Sequence, residues 1–210
     1  MKIGIIGDHK RGQNLGLLLA QAGHEVLFGS SNPVSLGSFI KSIGNSVKVT
    51  ATTIEDAFEE KVAVYILTVA FSEIDRLAEL YAGEYSNTVI IDATNPDPLT
   101  DGDIAQKVLD SNQNASEYVA LKFGTARIVK AFNTISSEDL ASNTLKNSIL
   151  AIPYAAQDHQ SKEIVRSLIE DLGFEAVYIG DLSKTQMMDP NHRIHGKSLN
   201  RKELETLINL

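Results

Sequence analysis

The sequence predicts a doubly wound α/β fold with a mainly parallel sheet, on three observations. Short apolar runs alternate with amphipathic helical patterns along nearly the whole chain, the order that a parallel sheet with helical crossovers requires. The central runs Ile3-Gly-Ile-Ile, Val62-Ala-Val-Tyr-Ile-Leu and Val89-Ile-Ile are continuous rather than alternating, as strands covered on both faces read. The opening stretch reads strand, tight turn, helix, turn, strand. That is the first unit of a dinucleotide-binding, or Rossmann, sheet.

Taken in order, strands are expected at 2–6, 25–28, 46–50, 62–68, 88–92, 127–131, 148–152 and 175–179. Helices are expected at 12–22, 33–42, 53–58, 71–81, 115–123, 137–142, 158–172 and 200–208. The second of these opens with Asn32 before Pro33, a cap followed by the residue preferred at the first helical position. Helix 158–172 carries a core-facing stripe of Ser161, Ile164, Leu168, Ile169 and Leu172, with Gly173 as its stop. Residues 93–114 form the longest expected loop, with a short helix near 104–109. Loops of that length in compact domains are often functional. The expected organisation is one domain over 1–210, with residues 181–210 as a C-terminal helical appendage.

Composition narrows the class. Hydrophobic residues make up 43% and charged residues 22% of the 210 residues, an ordinary globular balance. No apolar run approaches the roughly 20 residues that span a bilayer, and the chain opens on a strand rather than a secretory leader. Cysteine is absent, which fits a reducing compartment. A cytoplasmic location is the expectation. The net charge of −8 argues against nucleic-acid and anionic-membrane partners. An anionic cofactor must therefore be held by local groups.

Gly7 and Gly12 occupy the first and third positions of a Gly-x-Gly-x-x-Gly turn. Gly7 permits the tight turn and Gly12 the close helix-to-strand contact. His9 replaces the middle glycine, beside Asp8. Either its side chain turns outward and the site works, or the added bulk weakens binding. Lys10 and Arg11 open the first helical turn, where cations oppose the helix dipole. A phosphate would neutralise them; otherwise they are a solvated pair. The second strand ends in Gly29-Ser30-Ser31-Asn32 with no carboxylate. A carboxylate there selects NAD, whereas hydroxyls and an amide accommodate a 2′-phosphate, so NADP(H) is favoured. Three later segments fall at expected carboxyl ends of strands: Thr68-Val69-Ala70-Phe71, Asp92-Ala93-Thr94-Asn95-Pro96 and Lys130-Ala131-Phe132-Asn133-Thr134. Singly, each reads as a turn, and Phe71 and Phe132 read as core. His192 and His195 read as a solvated tail or as the border of a second ring's pocket; no metal site is expected.

Together these segments resemble the NADP oxidoreductase, coenzyme F-420-dependent family, to which the cytoplasmic reductase domain of the STEAP metalloreductases also belongs. The resemblance rests on the glycine turn at 7–12, Gly23-His-Glu-Val with Gly29-Ser30, Asp92-Ala-Thr-Asn-Pro, Ala115-Ser-Glu-Tyr-Val-Ala and, most specifically, Ile128-Val-Lys-Ala-Phe-Asn-Thr-Ile. It runs from Met1 to about residue 190. It implies that NADP(H) lies across Gly7, Asp8, His9, Lys10, Arg11 and Gly12, then Ser30, Ser31 and Asn32, then Val69, Ala70 and Phe71, then Asn95, and finally Ala131, Phe132 and Asn133. It also implies a flavin or deazaflavin co-substrate stacked on the nicotinamide. Hydride then passes directly between two rings, and the protein supplies position and dryness rather than an acid or base. No catalytic residue is assigned. Two positions depart from the family pattern: His9 replaces a glycine, and Ser31 stands where relatives usually carry an arginine for the 2′-phosphate. Arg11 is the candidate to compensate.

The partner implied is a small-molecule electron acceptor. Two alternatives are a non-catalytic NADP(H)-binding sensor and a small hydroxyacid or imine reductase completed by a dimer partner. The apolar face of the last helix (Leu204, Leu207, Ile208, Leu210) covers either its own domain or a twin subunit, and a homodimer is expected.

Overall fold

The structure, a computed structural model, describes residues 1–44, 47–81, 88–111, 113–124, 126–142 and 149–209. In chain order it runs β1 (Lys2–Ile6), α1 (Lys10–Gln21), β2 (Glu25–Ser30), a 3₁₀ turn at Pro33–Leu36 that continues as α2 (Gly37–Ile43), β3 (Val49–Thr53), α3 (Ile54–Glu59) and β4 (Val64–Leu67). A second 3₁₀ turn, Phe71–Glu73, leads into α4 (Ile74–Tyr81), followed by β5 (Val89–Asp92), α5 (Pro98–Asp101), α6 (Asp103–Asp110), α7 (Ala115–Phe123) and β6 (Arg127–Ala131). The chain continues with α8 (Ser137–Ser142), β7 (Ala151–Ala156), α9 (His159–Asp171), β8 (Glu175–Gly180), a 3₁₀ stretch at Leu182–Met188 and α10 (Arg201–Ile208).

The strands form one eight-stranded sheet in the order β3-β2-β1-β4-β5-β6-β7-β8. Every neighbouring pair is parallel except β6 and β7, which run antiparallel with Val129 opposite Ala156. The doubly wound, mainly parallel sheet is therefore as the sequence predicts. β1 lies between β2 and β4, so the chain winds outward from it in both directions. That reversal opens a crevice at the carboxyl ends of β1 and β4, where such sheets bind ligands.

Two cores flank the sheet. On one face Leu15 and Leu19 of α1, Leu140 of α8 and Val165, Leu168 and Ile169 of α9 pack on Ile3, Ile5 and Val129. On the other face Ala57 of α3, Ile74 and Leu77 of α4, Val119 of α7 and Leu204 of α10 pack on Ile6, Leu67 and Ile90. Leu207 and Ile208 pack against the same second core, so the last helix covers its own chain. The helices start where caps allow. Asn114 with Glu117 and Asn200 with Glu203 form capping boxes, and Asp158 accepts from Ser161 N–H.

Several boundaries differ from the expectation. α1 begins at Lys10, two residues before Gly12. β3 and β7 start and end later than expected; residues 46 and 148, their expected starts, lie outside the described residues, as does Leu210. The long loop holds an extra helical turn at Pro98–Asp101, capped by Asp97 with Pro98 in the first turn. Four residues carry no period to read. Asp181 likewise caps the 3₁₀ stretch at Leu182–Met188.

Candidate functional site

The β1–α1 turn builds the floor of the crevice. Gly7 has φ +112°, a conformation that L side chains rarely adopt, and its N–H donates to Gly29 O at 2.9 Å. A Cβ on Gly12 would sit 2.6 Å from Thr68 Oγ1 and 2.7 Å from Gly7 O. The helix start is thus pressed against the end of β4, and both glycines do what the spacing predicts. Thr68 locks the junction by donating to Ile6 O and Gly7 O. His9 takes the N-cap position with φ −70° and ψ 170°, its side chain makes no capping bond, and it is exposed. The imidazole is therefore not packed into the turn. No acidic residue occupies the first turn of α1, whose leading N–H groups have no intrahelical partner. This chain therefore offers the bare, positively polarised terminus that a diphosphate fits.

The two basic residues of that turn are engaged elsewhere. Lys10 pairs with Glu138 on α8. Arg11 donates to the carbonyls of Phe132 and Ile135, and burial lowers its pKa, opposed by the nearby Glu138 charge. The loop after β6 lies four strand positions from β2, on the order of 19 Å away. Arg11 therefore does not compensate for the missing arginine at Ser31: its guanidinium is committed to the opposite end of the crevice.

The end of β2 is also not free of carboxylates. Ser30 is buried, and its hydroxyl donates to Asp8 Oδ2 while accepting from Asn32 N–H. The carboxylate that β2 lacks is brought there by the β1–α1 turn. Ser31 and Asn32 are exposed beside it.

At the other end, β5 and β6 present a buried polar cluster. Asp92 and Lys130 are directly opposite in the parallel ladder. Their side chains pair at 2.9 Å with neither exposed. Lys130 also donates to Thr94 O, and Thr94 N–H and Oγ1 donate to Asp92. Asn95 and Asn133 bind each other: Asn95 donates to Asn133 O, and Asn133 donates to Asn95 Oδ1 and Met188 O. Asn133 Oδ1 and Asp189 Oδ1 are buried acceptors with no partner among the described residues. Burial raises the Asp189 pKa, an effect that the Lys130 charge opposes.

The remaining expected residues are distributed as follows. Val69 is partly exposed and Ala70 exposed at the end of β4. Ala131, Phe71 and Phe132 are fully buried. The two rings therefore face the core, as the residue-by-residue reading has it; only their backbone can border a ligand. Phe132 has φ +64°, a strained position for an aromatic residue, and its carbonyl is one that Arg11 holds.

Beside Asn95 lies a cavity of about 920 Å³. Pro96, Pro98, Leu99 and Leu109 give it an apolar side; Asn95, Asp97, Gln106, Asn191, His192 and His195 give it a polar one. His192 and His195 thus border a pocket rather than a solvated tail. His195 Nδ1 lies 3.1 Å from Met188 O. A carbonyl only accepts, so Nδ1 carries the proton. Burial lowers the His195 pKa, opposed by this hydrogen bond and reinforced by Arg11 and Lys130. The neutral ring therefore keeps an unprotonated Nε2. The sequence reading missed the Asp92–Lys130 pair, Thr68 and Asp189. Among the described residues no group of three or more His, Cys, Asp or Glu could hold a metal ion. No helix there is long and apolar enough to cross a membrane.

Comparison with known proteins agrees with this architecture. The chain is 24% identical to the rat (Rattus norvegicus) metalloreductase STEAP3 over 188 residues, 90% of this chain but 36% of that protein. It therefore spans about a third of the length of this curated relative. Its fold matches that of a hypothetical protein from Sinorhizobium meliloti, with TM-score 0.79 and 23% identity over 96% of both chains. It also matches a protein proposed to be an F420-dependent NADP reductase, from Arthrobacter sp. FB24, with TM-score 0.72 and 20% identity over 89% of this chain and 87% of that one. Residues 2–96, the span that carries the glycine turn, the end of β2 and Asn95, match the family described as NADP oxidoreductase, coenzyme F420-dependent. Over that span the chain is similar to this family of NADP-dependent oxidoreductases.

Proposed function

We propose that the chain is a reductase that moves hydride between a nicotinamide dinucleotide, NADP(H) in the family it resembles, and a flavin- or deazaflavin-type acceptor. One observation carries this reading: a helix whose first turn is free of acidic residues starts at the sheet's switch point, and a cavity of about 920 Å³ lies beside Asn95, just past the carboxyl end of β5. The nicotinamide, when bound, supplies the hydride. The chain does the rest. The leading N–H groups of α1 hold the diphosphate. The Asn95–Asn133 pair and the loop fixed by Arg11 form a rigid floor under the reacting end. Pro96, Pro98 and Leu109 would give an acceptor ring an apolar wall, and His195 Nε2 offers a hydrogen-bond acceptor in the same cavity. Direct transfer needs orientation and dryness more than a proton donor. The acceptor is a diffusible small molecule. The lack of cysteine fits work in the cytoplasm.

The test is oxidation of reduced dinucleotide, labelled with deuterium at the nicotinamide 4-position, in the presence of FMN, FAD or a deazaflavin. Acceptor-dependent oxidation with label in the reduced deazaflavin is the expected result. Tight nucleotide binding without turnover on any of these acceptors would replace this reading with the sensor.

A further inference from the structure

The adenosine end of the crevice carries information that the family's name does not. In a sheet of this order the adenosine ribose lies at the carboxyl end of β2. A carboxylate there accepts hydrogen bonds from ribose hydroxyls, whereas a 2′-phosphate needs cations. The end of β2 supplies neither, but the fold does. Asp8 reaches across from the β1–α1 turn and accepts from the buried Ser30 hydroxyl, which also fixes Asn32 N–H. This places a half-buried carboxylate at the last residue of β2.

The cations around it are few, and each is engaged by another group. From Gly29 to Ile40 the sequence has no lysine or arginine. The neighbouring strand ends with Thr53 in register with Ser30, and the helix that follows opens with Glu55, which pairs with Arg76, and Asp56. Lys10 is paired with Glu138, and Arg11 is bound to the carbonyls of Phe132 and Ile135. Lys41, the first cation after β2, sits in the last turn of α2, roughly 14 Å along the helical path from Pro33. A dianionic 2′-phosphate would meet a carboxylate, while Lys10, Arg11 and Arg76 are each already engaged by other groups. A 2′-hydroxyl would donate to that carboxylate.

Resting on the reading of the crevice as a nicotinamide dinucleotide site, we propose that this chain binds NAD(H) more tightly than NADP(H), and that Asp8, held by Ser30, is the specificity-determining residue. The proposal goes against the family's usual cofactor and concerns affinity, not chemistry.

The experiment is a calorimetric or fluorescence titration of the full chain with NADH and with NADPH, at low and at high salt. The variants are Asp8→Asn, Ser31→Arg and the double variant, with each fold checked by thermal melting. For the wild type the NADPH dissociation constant should exceed that of NADH by at least about fivefold. Salt should narrow the ratio by screening the repulsion. Asp8→Asn should improve NADPH binding, and the double variant should bind NADPH at least as tightly as NADH. A wild-type ratio below about fivefold, or a reversed one, overturns the proposal and leaves the dinucleotide site standing. Binding of neither nucleotide overturns both.

Discussion

The two ends of the crevice are built on opposite principles. At the nicotinamide end, β5 and β6 bury a whole ion pair, Asp92 with Lys130, and reciprocal amide bonds between Asn95 and Asn133. A guanidinium holds the loop whose Phe132 is strained at φ +64°. At the adenosine end, one side-chain bond between Asp8 and Ser30 stands beside exposed Ser31 and Asn32. The first end costs the fold a great deal to change, because buried charges left alone are heavily penalised. At the second, the exposed Ser31 and Asn32 change cheaply, because surface substitutions away from buried features shift stability by no more than about 0.5 kcal/mol. On the proposed reading, reacting geometry is fixed where the structure is rigid, and cofactor choice is set where it is pliable.

The largest test of this contrast is Lys130→Met. It leaves Asp92 buried without its cation, and the expected destabilisation is about 3–5 kcal/mol. Urea denaturation measures it. Pairing the change with Asp92→Leu should recover much of the loss, since two well-packed apolar residues often replace a buried pair at little cost. A loss under about 1 kcal/mol for Lys130→Met would mean that the pair behaves as a surface bridge and that the rigid end is not rigid for this reason.

That pair also marks the limit of what could be read from the sequence. All eight strands were legible, because runs such as Val62-Ala-Val-Tyr-Ile-Leu and Val89-Ile-Ile announce burial on both faces. The glycine turn was legible because Gly7 and Gly12 meet fixed steric needs. Lys130 was legible only as a letter in a family segment; its partner emerges when β5 and β6 are set in register, with Asp92 opposite Lys130. Asp8 was hidden for the same kind of reason. Its position in the glycine turn says nothing about the direction of its carboxylate, and Ser30 lies 22 residues away in sequence. The β6–β7 reversal has no local signature, since strand direction is a property of the connection rather than of the strand. The capped turn at Pro98–Asp101 leaves no signal in the sequence because four residues hold no helical period.

Arg11→Met separates the two ends more finely. The guanidinium makes two bonds to loop carbonyls, and bonds to a charged group contribute roughly 1.5–3 kcal/mol. A loss in that range is expected, with faster amide exchange in residues 131–136, the strained loop that Arg11 ties down. The preference between NADH and NADPH should not move, because Arg11 does not reach β2. A change in that preference would place the guanidinium at the 2′ position after all and would merge the two ends into one electrostatic unit.

The smallest effect concerns His195, at the border of the acceptor cavity. Burial holds its folded pKa below the ordinary imidazole value, and Arg11 and Lys130 push in the same direction. The unfolded chain therefore binds a proton, near pH 6.5, before the folded chain does. Stability must fall as the pH is lowered from that value towards the depressed folded one. Above the ordinary value both states are neutral and the residue contributes no slope. His195→Gln removes the titration while keeping a side chain able to donate to Met188 O. The variant's stability relative to the wild type should accordingly rise as the pH is taken from about 8 to about 5, read as the difference in urea midpoints at each pH. A constant difference would mean that the ring takes up its proton in the folded chain as readily as in water. His195 would then face solvent rather than the dry edge of a ring, and the cavity would lose the acceptor that Nε2 provides.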